Sequence, residues 1–207
     1  MSILADTVHI VIATNNQGKI KEFESLLKDT QCKLSPQSDF GVGGVAETGL
    51  SFVENALIKA RHCCKHTDLP CIADDSGIVV DALRGAPGIY SARFARTDFP
   101  TREQNDRANN RLLLEKLKAI PETQRSARFH CALVFMRFAE DPCPLVCQAS
   151  WEGQILFEPR GENGFGYDPL FYLPLSGCSS AELSSEQKNR ISHRGQAMRK
   201  LLTELTR

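Results

Sequence analysis

Cys71-Ile-Ala-Asp-Asp-Ser-Gly-Ile-Val-Val80, continuing as Asp81-Ala-Leu-Arg-Gly-Ala-Pro-Gly-Ile-Tyr90, is the stretch from which the rest of the chain can be read. A short apolar run enters two adjacent carboxylates, passes through Ser76-Gly77 and resumes as a second apolar run. Side chains alternate across a strand, so Asp74 and Asp75 point to opposite sides. At least one must meet a cation, a donor or water, because an unpaired buried carboxylate costs on the order of several kcal/mol. Two readings follow. Either one carboxylate holds a metal ion while the other organises the loop, or both stand in a solvated turn, where Asp is a common turn former. The stretch alone does not choose between them.

The chain has 207 residues, enough to bury a real core as one large domain or two lobes. Its 42% hydrophobic and 24% charged residues are ordinary for a soluble globular protein. Lys+Arg and Asp+Glu both number 25, so the net charge is zero. That removes the bulk electrostatic case for a nucleic-acid or membrane-surface partner, while leaving room for a local basic pocket. No apolar run approaches the ~20 residues that span a bilayer. Met1-Ser-Ile-Leu-Ala-Asp-Thr-Val-His9 has no positive segment and carries Asp6, so no signal peptide is expected. The eight cysteines are scattered, which reads as reduced thiols of a cytoplasmic protein. Cys63-Cys64, with His62 and His66 beside them, lack the paired CxxC spacing of a zinc site.

Thr7 to Ala13 is a β-branched run without clean alternation, the pattern of a central strand covered on both faces. It ends at Thr14-Asn-Asn-Gln-Gly-Lys19, after which Ile20, Phe23, Leu26 and Leu27 recur at helical spacing. A strand, a polar turn and a helix aim backbone N–H groups at whatever lies over the turn, and phosphate is the natural occupant. The turn is not a Walker A loop: the first glycine is missing, and Ile20 follows Lys19 where Ser or Thr belongs. Gly18 and Lys19 are therefore either phosphate-binding or merely structural. Further on, Ser51 opens a helix with Glu54 in capping-box position, and Phe52, Val53, Ala56, Leu57, Ala60 and Cys64 give it a buried face. Lys59, Arg61 and Lys65 fall mostly on its outside. Glu47 sits in the Gly-flanked loop before it, as a metal carboxylate or a solvated charge.

Arg84 to Gly88 is a turn-rich connection and Phe94 to Arg102 an exposed loop. Asn105 to Ala119 is an amphipathic helix carrying Leu112, Leu113 and Leu117, and Pro121 ends it. Alternation makes Arg128 to Phe138 a strand, and Leu145 to Phe157 another, broken by a turn or bulge at Trp151-Glu-Gly153. His130 and Trp151 read as packed residues. Gly161-Glu-Asn-Gly-Phe-Gly-Tyr-Asp-Pro169 is a loop whose glycines let backbone approach a ligand, with Phe165 and Tyr167 as flat faces for a planar base. A hairpin loop with incidental aromatics is the alternative. In the closing segment Ala197, Met198, Leu201, Leu202 and Leu205 recur helically, placing His193 and Arg194 in a first turn, where cations oppose the helix dipole. A helix that accepts this penalty commonly uses those side chains elsewhere, and Arg offers a fork for carbonyl or phosphate oxygens.

Taken together, five blocks resemble the inosine triphosphate pyrophosphatase family, especially its bacterial members. They are Thr14 to Lys19; Glu47-Thr-Gly49 with Phe52 to Ala56; Ala73 to Gly77 with Gly85 to Arg93; Gly164 to Pro169; and Ser192 to Gly195. The resemblance covers about Ile10 to Ala197. It implies an α/β fold with an elongated mixed β-sheet flanked by helices, its two lobes enclosing a central nucleotide cleft, in a single domain over residues 1–207. It implies a homodimer, and a Mg²⁺-dependent hydrolase that cuts a purine nucleoside triphosphate between α and β phosphates, releasing the monophosphate and pyrophosphate. ITP, dITP and XTP are the expected substrates, and cleansing of the nucleotide pool the expected role.

Carried over position by position, Thr14, Asn15, Asn16, Gln17, Gly18 and Lys19 would hold the triphosphate, and Glu47 with Asp75 the Mg²⁺. Asp75 also occupies the family's general-base position, and a water oriented by Asp75 or Asp74 reconciles the two roles. Ser76 would touch the substrate and Phe165, with Gly166 and Tyr167 in its loop, would stack on the base. Asp168, Lys188, His193 and Arg194 would read its edge. A 6-oxo purine rewards such donors, whereas adenine leaves them unpaired at about 1–3 kcal/mol each. Residues 96–103 and 142–147 match no motif of the family. An inactive nucleotide-binding module, or a related-fold hydrolase of other modified nucleotides, are the alternatives; intact Glu47, Asp75 and Lys19 argue against the first, Phe165 with His193-Arg194 against the second.

Overall fold

The computed structural model describes residues 8–28, 30 and 32–206. Thr7, and the N-terminal stretch from which the absence of a signal peptide was expected, lie largely outside the described residues. The strands are β1 (His9–Ile12), β2 (Lys33–Pro36), β3 (Cys71–Val80), β4 (Ser126–Met136), β5 (Leu145–Ile155), β6 (Phe171–Leu173) and β7 (Cys178–Ser179). The helices are α1 (Gln17–Leu27), α2 (Phe52–Thr67), α3 (Arg102–Lys116), α4 (Ser185–Ile191) and α5 (His193–Leu205). One seven-stranded sheet runs in the order β2-β1-β3-β4-β5-β6-β7. It is mixed: β1 is parallel to β2 and β3, while β6 is antiparallel to β5 and β7. The α/β class and the helix-flanked mixed sheet expected from the sequence are therefore present. Among the described residues no helix is long and apolar enough to cross a membrane.

The chain divides into two compact units, residues 1–75, 131–149 and 193–207 forming the first and residues 76–130 and 150–192 the second. In the first unit the sheet is covered on both faces, as the unalternating β1 run anticipates. Strand parity sorts the side chains. Ile10, Ile12, Ile72, Cys131, Leu133 and Phe135 pack against Phe23 and Leu27 of α1 and Ala197, Met198, Leu201 and Leu205 of α5. Their sequence neighbours Val11, Ala13, Cys71, Ala73, Ala132, Val134 and Met136 pack on the other side, against Ala56, Ala60, Cys63 and Cys64 of α2.

In the second unit Ile78 and Val80 of β3 pack with Leu113 and Leu117 at the end of α3, and with Phe129, Trp151, Ile155, Tyr167, Leu170, Phe171 and Leu173. The Phe129 and Phe171 centroids lie 4.6 Å apart and those of Trp151 and Phe171 5.3 Å. No turn interrupts the chain at Trp151-Glu-Gly153: β5 is continuous from Leu145 to Ile155. Gly153 serves the neighbouring strand instead, because a side chain there would strike the Phe171 ring and the Tyr172 carbonyl. Helix α3 begins three residues before the apolar pattern does, because Thr101 and Gln104 form a complete capping box. All eight cysteines are free thiols.

Candidate active site

Strand β3 is continuous across Cys71–Val80, so Asp74 and Asp75 stand in regular strand, buried to 1% and 6% exposure. The solvated turn is thereby excluded. By the same parity that sorts the core, Asp74 shares its face with Ile72, toward α1 and α5, and Asp75 shares its face with Ala73, toward α2.

On the Asp74 face, Asn16 caps α1, its side chain accepting the N–H groups of Gly18 at 3.0 Å and Lys19 at 3.3 Å. Thr14 Oγ1 accepts from the Asn16 amide at 3.2 Å, and Asn15 Oδ1 accepts from the buried Gln37 side chain at 3.1 Å; Gln17 is exposed. The Thr14–Lys19 segment is thus held in shape by its own side chains and delivers Lys19 from the first helical turn. The Lys19 ammonium forms an ion pair with Asp74. Arg194, from the first turn of α5, donates to Asp74 Oδ2 through Nε at 3.2 Å and Nη2 at 3.1 Å, and pairs with Glu22 of α1 through Nη1. Cys131 Sγ adds a donor at 3.3 Å. Burial pushes the Asp74 carboxyl up, but Arg194, Lys19 and Lys59 outweigh it and hold it well below the usual carboxylate range. Burial also lowers Lys19, an effect its Asp74 partner only partly offsets.

On the Asp75 face, Lys59 Nζ lies 2.7 Å from Asp75 Oδ1 and 3.1 Å from Glu47 Oε1. Asn55, one turn earlier on α2, donates to Asp75 Oδ2 at 3.4 Å and accepts from the Gly49 amide at 2.9 Å, which draws the Glu47 loop onto the helix. Gly49 has no room for a side chain against Glu54 and Asn55. Glu54 fastens the same loop end, accepting from the Leu50 amide at 2.9 Å and the Ser51 hydroxyl at 2.7 Å. Burial raises the Asp75 carboxyl, with Lys59 and Lys19 pulling against it. Burial tends to lower Lys59, and Asp75, Glu47 and Asp74 together reverse that into a raised value. Lys59 was expected outside; it stands instead between the two proposed metal carboxylates. Arg61 and Lys65 are exposed as expected. Among the described residues no three acidic, His or Cys side chains converge as a ready-made cation site. Two carboxylates sharing one cationic partner do fit Mg²⁺, which is commonly held by one or two carboxylates with water and substrate phosphate completing its shell.

In the second unit Asp168 is the organising acceptor, 2% exposed. Its Oδ2 takes Lys188 Nζ at 2.6 Å and the Phe165 amide at 2.8 Å, and its Oδ1 takes Ser180 Oγ at 2.9 Å. Gly164 (φ +77°) adopts a left-handed conformation at a point where a Cβ would collide with that carboxylate. Lys188 Nζ stands 4.8 Å from the centre of the Phe165 ring, which is partly exposed. Tyr167, expected beside Phe165 as a second flat face, is instead a core residue. Its ring is buried, its hydroxyl donates to the Ser91 carbonyl at 2.8 Å, and burial raises its ionisation. Ser76 is partly buried on β3, next to Asp75, and His193 is buried at the start of α5.

The structure therefore groups Thr14 to Lys19, Glu47, Asp75 and Arg194 in one unit, and Phe165 to Asp168 with Lys188 in the other. Arg194, expected at the base edge, has its guanidinium engaged by Asp74 and Glu22. Lys59, Asn55 and Glu22 were missed. For the first two a signal existed: Asn55 interrupts the apolar face of α2, and Lys59 lies four residues on along the same face.

Residues 10–204 match the model of the Ham1 family. A dITP/XTP pyrophosphatase of Photobacterium profundum is 56% identical over 196 residues, 95% of this chain and 97% of that protein. One of Escherichia coli, also a dITP/XTP pyrophosphatase, is 54% identical over the same coverage. The solved structure of a HAM1 protein from Coxiella burnetii superposes with a TM-score of 0.87 at 48% identity, covering 97% of this chain and 99% of that one.

Proposed function

The chain belongs to the Ham1 family, and from that premise we propose that it hydrolyses deaminated purine nucleoside triphosphates of the dITP and XTP kind to the monophosphate and pyrophosphate. The observation that carries this reading is the convergence of Glu47 and Asp75 on the Lys59 ammonium, one strand face away from the Lys19–Asp74–Arg194 ion cluster. Lys19 and the first turn of α1 attract the triphosphate, since a helix N-terminus and a lysine both favour anions. Mg²⁺ is the proposed cofactor, held by Glu47 and Asp75, and when bound it neutralises charge on the phosphate oxygens. Water attacks the α-phosphorus, the bond to the α–β bridging oxygen breaks, and pyrophosphate leaves. Asp75 orients that water and accepts its proton; burial raises this carboxyl, with Lys59 and Lys19 pulling against it. Phe165 stacks on the base and Lys188, oriented by Asp168, donates to its 6-oxo group. Ser76 and His193 complete the substrate contacts.

The proposed setting is a cytoplasmic homodimer acting on the nucleotide pool. Free thiols accord with a reducing compartment, and the dimer draws its support from the family resemblance. A pyrophosphate-release assay over ITP, XTP, GTP and ATP, with and without Mg²⁺, tests the whole reading. Pyrophosphate from ITP and XTP in the presence of Mg²⁺ is expected. Orthophosphate as the product, or equal rates on ATP, would overturn it.

A further inference from the structure

Helix α3 carries Arg102, Asp106 and Asn110 at four-residue steps, so their side chains stack along one face of the helix. All three address the loop that presents Phe165. Asp106 Oδ2 accepts the Gly166 N–H at 3.0 Å, and Asn110 Nδ2 donates to the Gly166 carbonyl at 3.0 Å. Both backbone groups of one glycine are thus held by one helix. Gly166 has φ +63°, and a side chain there would meet nothing within 4 Å. Crowding therefore does not force the bend at Gly166, and the two α3 contacts hold it alongside the Asp168 bond to the Phe165 amide. Arg102 completes the row: its Nε stands 3.6 Å from Asp106 Oδ2, and its Cζ 5.2 Å from the Phe165 ring centre. Asn110 Oδ1 is buried without a hydrogen-bond partner. An orphaned acceptor destabilises, and an aliphatic side chain of similar size would avoid it. Asparagine at this position is accounted for by its bond to Gly166.

We propose that Asp106 and Asn110, with Arg102 over the ring, are positioning residues that set the orientation of Phe165 and so the affinity for the base. They act through Gly166 and Phe165 rather than by touching substrate. The proposal rests on the base-stacking role given to Phe165 above. A purely structural clamp would instead lower stability and the amount of active protein, leaving the KM of the surviving enzyme unchanged.

The test is steady-state pyrophosphate release from ITP, with inorganic tripolyphosphate, which has no base, as competing inhibitor. For Asp106→Ala and Asn110→Leu the KM for ITP rises about tenfold, while the tripolyphosphate inhibition constant stays within about twofold. Asp106→Asn, which keeps an acceptor for the Gly166 amide, recovers most of the loss. An unchanged KM, or a tripolyphosphate constant that weakens in parallel, overturns the proposal. If Asp106→Ala does not fold, Arg102→Ala on its half-exposed side chain serves, with a KM rise of about threefold expected and none as the overturning result. Wild-type protein that releases no pyrophosphate from ITP would instead count against the proposed function itself.

Discussion

The Lys59 ammonium lies 2.7 Å from an Asp75 oxygen and reaches Glu47 with the same nitrogen. Two carboxylates from separate elements, a loop and a strand, are drawn together by a cation that belongs to the protein. Lys59 thereby brings Asp75 Oδ1 and Glu47 Oε1 to one point, both of them accepting from its ammonium.

Asp75→Asn keeps the shape of the side chain and an acceptor for Lys59 while removing the charge. Pyrophosphate release is expected to fall by about 10²–10⁴-fold, with the thermal midpoint little changed. Near-normal hydrolysis would remove Asp75 from the chemistry.

Arg194→Ala leaves the Asp74 carboxylate, 1% exposed, with Lys19 as its remaining cationic partner within the ion cluster. Breaking a buried ion pair from one side costs about 3–5 kcal/mol, so the urea midpoint should drop markedly. A variant of undiminished stability that has lost only its preference for ITP over ATP would return Arg194 to a base-reading role.

Which features were legible in the sequence follows from the range of the forces involved. The opposite orientations of Asp74 and Asp75 needed only strand parity, and the doubly covered β1 only its apolar run. The partners of those carboxylates were another matter. The base-edge role of Arg194 is implied by the family resemblance, while its partners Asp74 and Glu22 lie 120 and 172 residues away in sequence. No local pattern carries that information. Lys59 looked like a surface residue because helical periodicity describes α2 alone, without the Glu47 loop folded over it. Gly153 is of the same kind: the space it leaves is filled by the Phe171 ring on the adjacent strand.

Phe165→Ala removes the proposed stacking platform and leaves the Asp168–Lys188 pair in place. Base stacking on an aromatic ring is worth about 1–3 kcal/mol, so KM for ITP should rise about five- to hundredfold with kcat largely retained. Binding of tripolyphosphate should not change. A fall in kcat at constant KM would argue that the ring does not meet the base.

Asp141 tests the frame away from the site. In the connection between β4 and β5 it accepts from Arg137 through Nε at 2.8 Å and Nη2 at 2.6 Å, and from the Arg137 and Cys143 amides at 3.1 and 3.0 Å. The Arg137 hydrogen bond, against the opposing effect of burial, holds its carboxyl far below the ordinary 3.8. A carboxylate depressed by folding stabilises fully above its unfolded value and loses that contribution as pH falls toward the folded one. Asp141→Asn should therefore destabilise by about 1–3 kcal/mol at pH 7. The gap to wild type should narrow once the pH passes below 3.8, as urea titrations at several pH values would reveal.

Gly164 leaves open the space that the Asp168 carboxylate fills, and bends the chain in the left-handed sense as it does so. The freedom to vary at position 164 is therefore not a property of that position. It is dictated from four residues downstream, by an acid that must reach Lys188, Ser180 and the Phe165 amide together. A homologue with a side chain at 164 would need a smaller residue in place of the acid at 168, and with it a different way of holding the aromatic ring. The two positions amount to a single choice, spelled out twice in the sequence.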